Sequence, residues 1–343
     1  MRRFARLCAA SLALLAAARA PANAAPLAVV ATVPDLGALT REVGGDEVEL
    51  TVLARGPQDA HFIEPKPSFI RKLHDADLYL EIGMDLEVGW APVLLHSARN
   101  PRILPGNPGY LNASRAIRPL QVPTGLVNRS MGDIHVYGNP HFLVDPLNGL
   151  RVAAVIRDKL AELRPASADL FRSRYDGFAK RLAERLVGPE LASRHPPKAL
   201  ADAIESEGLE ALRGDAPLGG WLAEARRLAG VRAVEDHQYW IYFARRFGLV
   251  PVATLEPKPG IAPTTGHLGQ VVETVKAEGA QLILATAYFD LRHARWVAER
   301  TGARVAEMAH QVGSRDGTDD YLAMIDYNVH EALRALADGG GPS

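Results

Sequence analysis

The chain has 343 residues, a formal net charge of −1, one cysteine, and 48% hydrophobic against 23% charged residues. That length suits about two globular domains, each able to bury its own core. The composition excludes a disordered or low-complexity chain, and the even charge balance excludes the Lys/Arg surplus of a nucleic-acid binder.

Residues 1–24 read as a secretory signal. Arg2, Arg3 and Arg6 form a basic start, Leu7–Ala18 is a small-apolar run too short to span a bilayer, and Ala22-Asn23-Ala24 offers a cleavage site. Cys8 lies inside the run behind a poor lipidation motif, so removal of the signal leaves a chain without cysteine and takes the formal charge to −5. A soluble exported protein without disulfides is expected, which suits a bacterial periplasm.

Beyond the signal, short β-rich runs alternate with helical patterns. Leu27–Val33, Glu49–Ala54 and Leu78–Ile82 read as strands, with helices predicted over Asp35–Val43 and Ser68–Ala76. From Pro146 to about Leu186 the pattern is almost wholly helical, broken near Pro165. The alternation then resumes, with strands predicted at Val231–Val234, Leu249–Leu255, Gln281–Ala287 and Arg304–Met308. Helices are predicted at Gly220–Leu228, Trp240–Phe247, His267–Glu278, Leu291–Arg300 and Asp320–Ala337, while Lys198–Gly219 has no clear pattern. The fold class expected is α/β, with two lobes that each carry a mostly parallel sheet flanked by helices. The expected divisions are 25–164, a long helical linker over 165–188, and 189–343, with a ligand site in the cleft between lobes.

Eleven histidines are the main chemical feature. His74, His293 and His330 fall in helical patterns, His96 and His195 in loops, and His267 near a helix start, all positions where a solvated imidazole is ordinary. His61, His237 and His310 instead follow predicted strands, where open α/β sheets place ligands, and His141 precedes a predicted helix. Four neutral imidazoles suit Zn²⁺, and a shell filled by protein holds a metal rather than activating water. By spacing alone, scattered structural histidines remain the alternative. Phosphate-binding loops, GxSxG and GxGxxG turns, HExxH and CxxC motifs and Asp-rich calcium loops are all missing from the sequence.

Longer strings carry a family resemblance. Asp59-Ala60-His61-Phe62-Ile63-Glu64-Pro65-Lys66-Pro67-Ser68, His135 through Pro146 (HVYGNPHFLVDP) and Asp236 through Leu249 (DHQYWIYFARRFGL) resemble three segments of the metal-specific periplasmic solute-binding proteins of ABC transporters, the zinc and manganese uptake receptors. Glu256–Ile261 and the segment from Asp320 to Asn328 continue the likeness in order. The resemblance implies one rigid linker helix at about Ala166–Leu186, a metal in the interlobe cleft, delivery to an inner-membrane ABC permease, and no catalysis.

The resemblance carries over His61, His141 and His237 as ligands. Relatives commonly place an aspartate as the fourth, where this chain reads Ala309-His310, so His310 is the expected fourth ligand. If Ala309 holds that position instead, water or Glu64, Asp236 or Asp290 completes the shell. Without the aspartate, Zn²⁺ is the expected cargo over Mn²⁺, which favours oxygen ligands. A His₃ zinc hydrolase with Glu64 or Asp290 as base is the competing class. His135 is expected to bond to backbone, with a weak secondary contact to the metal as the alternative. A monomer is expected, with the permease as partner, a periplasmic metallochaperone as a further candidate, and no nucleic acid.

Overall fold

The computed structural model describes residues 25–125, 135–208, 214 and 216–337. The signal at 1–24 and part of the unassigned Lys198–Gly219 stretch lie outside the described residues.

The first lobe carries strands β1 (Leu27–Ala31), β2 (Val48–Val52), β3 (Leu78–Glu81) and β4 (Tyr110–Asn112), in the order β2-β1-β3-β4. The second repeats that order with β5 (Arg232–Glu235), β6 (Val250–Thr254), β7 (Leu282–Thr286) and β8 (Arg304–Met308), as β6-β5-β7-β8. Every strand pair is parallel. Central β1 and β7 (LAVVA and LILAT) are nearly all apolar because helices cover both faces, whereas edge strands β2 and β6 are mixed and half exposed.

The helices are α1 (Pro34–Gly44), α2 (Pro67–His74), α3 (Ala91–Ala98), α4 (Pro146–Leu163), α5 (Ala168–Val187), α6 (Pro189–Ala192), α7 (Pro197–Glu207), α8 (Gly220–Glu224), α9 (Ile241–Phe247), α10 (Thr265–Glu278), α11 (Arg292–Thr301) and α12 (Tyr321–Ala337). Local chemistry sets their ends. Proline opens α1, α2 and α4, where its missing N–H is harmless, and the Thr264 hydroxyl caps α10, which stops at left-handed Gly279.

Three features differ from the sequence expectations. The short strand β4 and the helix α3 carry no clear period, and α3 puts His96 in its last turn rather than in a loop. Part of the unassigned stretch is α7. The long linker helix, α5, begins at Ala168 after a 3₁₀ turn at Pro165–Ser167, and packs on α1 and α4 at one end and on α6 and α8 at the other. Its apolar stripe, from Phe171 through Phe178 and Leu182 to Leu186, joins one continuous core cluster drawn from both lobes.

Candidate metal centre

Both sheets point their carboxyl ends into the cleft, and the loops leaving those ends carry the histidines. After β2, Asp59 makes a local turn. One carboxylate oxygen accepts from the His61 backbone N–H at 3.0 Å and from His61 Nδ1 at 2.7 Å. With Nδ1 turned to that carboxylate, His61 presents Nε2 to the cleft. Burial pushes the Asp59 carboxyl up, but its contacts with His61 outweigh that and hold it below the usual range.

His141 precedes α4 and is fixed in the same way, its backbone N–H bonded to the Asn139 side chain at 2.9 Å. The Asn139 side-chain amide reaches across to the Gln238 carbonyl, and the Asn139 backbone carbonyl accepts from the Tyr242 hydroxyl at 2.9 Å. The His141 ring lies flat on Tyr239, with centroids 3.9 Å apart and planes 20° apart. It is buried, its Nε2 has no hydrogen-bond partner, and burial together with the neighbouring imidazoles pushes its pKa far down. A buried nitrogen without a partner fits a metal, since otherwise its lost hydration goes uncompensated.

His237 leaves β5 next to Asp236, whose carboxylate accepts from the His237 N–H and from both the N–H and hydroxyl of Thr286. Glu256, at the end of β6, accepts from His237 Nδ1 at 2.8 Å and from the Gly260 N–H at 3.0 Å. This is the carboxylate–imidazole pairing that turns the opposite nitrogen toward a metal.

The rings of His61, His141 and His237 lie 5.2–5.5 Å apart, centroid to centroid. The structure adds His135, whose Nε2 is 3.1 Å from His61 Nε2. Nitrogens bound to one tetrahedral zinc at about 2.0–2.1 Å stand about 3.3–3.4 Å apart, so this spacing is close to that of a shared ion. Burial drives the His135 pKa down to about 3, which leaves the ring one N–H for both the Met84 backbone and His61. A cation between the two Nε2 atoms ends that competition. Ring nitrogens of His61, His135 and His141 lie within 4.8 Å of one another, the one such group of three or more His, Cys, Asp or Glu among the described residues.

His310 follows β8 as expected and shares a cavity with His61 and His141, with one ring nitrogen turned to backbone. Its Nε2 faces the Gln58 carbonyl at 3.2 Å, its ring stands edge-on to Tyr239 and Tyr288, and its Nδ1 is buried without a partner. Burial lowers its pKa to about 4. With Asp35, Tyr239 and Tyr288 it lines a cavity of about 20 Å³ behind the cluster, about the size for one water. The sequence reading missed Asp59, Glu256 and the placement of His135. A carboxylate two residues before a loop histidine, or at the end of a neighbouring strand, is the signal that finds the first two.

The chain matches the family described as zinc-uptake complex component A, periplasmic, over residues 29–185 and 221–335, and belongs to it. Members of that family bind a transported substrate and are not enzymes. The chain is 22% identical over 330 residues to the zinc-binding lipoprotein AdcA of Streptococcus pneumoniae, covering 92% of this chain and 57% of AdcA. It is 25% identical over 317 residues to the manganese ABC transporter substrate-binding lipoprotein PsaA of Streptococcus anginosus, covering 91% and 89%. It also matches 48% of the length of the lipoprotein ScbA of Streptococcus cristatus, so it spans about half of some curated relatives. Among solved structures, that of ZnuA superposes with a TM-score of 0.66 at 21% identity, covering 91% of this chain and 99% of that one. A manganese-bound periplasmic protein of Candidatus Liberibacter asiaticus follows at 0.65 and 16%, covering 90% and 98%. At such identities the structural likeness shows the two-lobe fold. The lipoprotein relatives support an exported protein, and among the described residues no helix is long and apolar enough to cross a membrane.

Proposed function

We propose that this protein is a periplasmic receptor that captures Zn²⁺ in the interlobe cleft and delivers it to an ABC permease. The observation that carries the proposal is the convergence of four imidazoles, His61, His135, His141 and His237, two of them backed at Nδ1 by carboxylates. In this reading His135 takes the fourth position for which the sequence suggests His310. His237, slightly outside the tight trio, closes on the ion when it binds. An all-nitrogen shell selects Zn²⁺ over Mn²⁺, which prefers oxygen, and Asp59 and Glu256 act through the imidazoles they orient. The sequence signature at 1–24 supports export with removal of the signal.

The test is a competition titration of the mature chain with Zn²⁺ and Mn²⁺, alongside His141→Ala, His135→Ala and His310→Ala. One zinc per chain held far more tightly than manganese is expected. Binding should collapse in His141→Ala and weaken strongly in His135→Ala, with a smaller change in His310→Ala. The reverse order for the last two variants would return His310 to the shell. Preference for manganese would overturn the choice of cargo.

A further inference from the structure

The imidazole cluster has two unequal sides. On one side, between His61, His141 and His310, lies a cavity of only about 20 Å³; on the other, a mouth of about 300 Å³ is lined by His61, His237 and Glu256 at its floor and by Phe62, Asp290 and His293 toward solvent. A cavity of one water's size does not admit a hydrated divalent ion, and the wider mouth does. His293 is half buried on α11 and makes no hydrogen bond or ion pair with the described residues. His74, His267 and His330 each bond to a backbone carbonyl, while His96, unbonded like His293 among the described residues, lies outside the mouth.

Asp290 stands beside it. One of its oxygens accepts from the Arg292 N–H at 2.9 Å and the other pairs with the Arg292 guanidinium at 3.1 Å. It thus offsets the positive charge of Arg292, which would otherwise repel a cation arriving past Asp290.

We infer that His293 is a transient outer station for the metal, binding the arriving ion while it sheds water and passing it to His61 and His237, with Asp290 keeping the approach electrostatically open. The inference rests on the metal-site reading above. A stepwise exchange of ligands lowers the barrier to loss of the hydration shell. By microscopic reversibility the same station serves departure. It contributes to neither end state, so equilibrium affinity does not depend on it.

The experiment is stopped-flow mixing of the mature chain with Zn²⁺ alone, and of the zinc-loaded chain with excess chelator, for wild type, His293→Ala, His293→Gln and Asp290→Asn. In both His293 variants the on- and off-rates should fall by the same factor, severalfold, with the dissociation constant unchanged. In Asp290→Asn the on-rate should fall, more so at low salt than at high salt. Wild-type rates in both His293 variants overturn the station. Loss of equilibrium affinity as deep as that of His141→Ala overturns it too, because His293 is then a resident ligand. A wild-type chain that fails to hold zinc fails the metal-site reading itself, an outcome separate from either.

Discussion

Glu256→Gln tests the support of the site with the least disturbance of its shape. Glu256 is 5% exposed, and one of its oxygens receives both the His237 Nδ1 proton and the Gly260 N–H. The glutamine amide oxygen can take the same place and keep both bonds, so the substitution chiefly removes charge. An ion about 2.1 Å beyond His237 Nε2 sits roughly 6–7 Å from that carboxylate, counting the 2.8 Å hydrogen bond and the width of the ring. At an effective dielectric of about 20, the attraction between a divalent cation and a carboxylate at that range is about 5 kcal/mol gross, an upper bound. Outer partners of metal-bound histidines typically carry about 10–100-fold in affinity, or about 1.4–2.7 kcal/mol, a working lower bound. Zinc affinity in a chelator competition at fixed pH and salt should therefore drop at least tenfold, by the same estimate. The metal-free variant should melt no lower than wild type, since a buried charge has gone. Wild-type affinity in Glu256→Gln, with His237→Ala impaired, would refute the idea that the carboxylate acts through the ring.

The buried acids set a second expectation. Burial, with repulsion from Glu81, raises the Glu87 carboxyl to about 8, and burial raises Glu235 to about 8 and Asp35 to about 7. Each binds its proton more tightly folded than unfolded, a stabilisation present at low pH and lost as pH rises through the folded value. The depressed His135, His141 and His310 act in the opposite sense, losing stability as pH falls below about 6.5. Urea unfolding of the metal-free chain should then show stability declining from pH 6.5 to 8, and a shallower decline in Glu87→Gln; a flat wild-type profile contradicts the assignment. Across the lobes, the Gln311 amide donates to the carbonyls of Arg55, Gly56 and Gln58 at 2.8–3.1 Å. Gln311→Ala should cost about 1–3 kcal/mol of stability, read by denaturant unfolding, because it strands the buried Gly56 carbonyl. Gly56→Ala would set its Cβ 2.1 Å from the Gly313 carbonyl oxygen, so it must part the two loops and should weaken zinc binding; unchanged affinity would mean that this contact does not register the site.

The sequence carried much of the fold because parallel strands buried on both faces are written as apolar runs, as in Leu27–Ala31 and Leu282–Thr286. Tyr110–Asn112 is too short to have a period, and Ala91–Ala98 mixes Pro92 with a brief apolar stretch. In the site, His61 and His237 were legible as loop residues just beyond strands. The balance between His135 and His310 was not, since it depends on contacts remote in the chain. His135 is held against His61 and the Met84 backbone, while His310 meets the carbonyl of Gln58, 252 residues away. Local patterns can bring a histidine to the cleft, but only the packed loops decide which way its ring turns.

Those packed loops also limit how the metal can leave. Arg246 of α9 grips Asp145, the N-cap of α4, with two bonds of 2.8 and 2.9 Å only four residues from His141, and its side chain is nearly buried. The Tyr321 hydroxyl of α12 donates to the Leu143 carbonyl at 2.7 Å and fills the space left by Gly149, where any Cβ would strike its ring. Tyr242 and Gln311 add further bonds between lobes, and a single apolar cluster continues through α5 from one lobe to the other. A wide hinge motion would have to break all of these together, and each strands a buried polar group or opens apolar surface. Rearranging the His61, His135 and His237 loops gives up the Gln311 bonds to residues 55–58 but leaves the Arg246–Asp145 pair, the Tyr321 and Tyr242 bonds and the apolar cluster in place. The inexpensive coordinate for uptake and release is therefore loop motion at the mouth, with the two lobes held as a nearly fixed frame. Hydrogen exchange should accordingly differ between metal-free and zinc-loaded chains in the segments around residues 55–62 and 256–263, while amides in α4, α5 and the central strands stay equally protected. Zinc-dependent exchange spread along α5 would instead point to a hinge and overturn the fixed-frame argument.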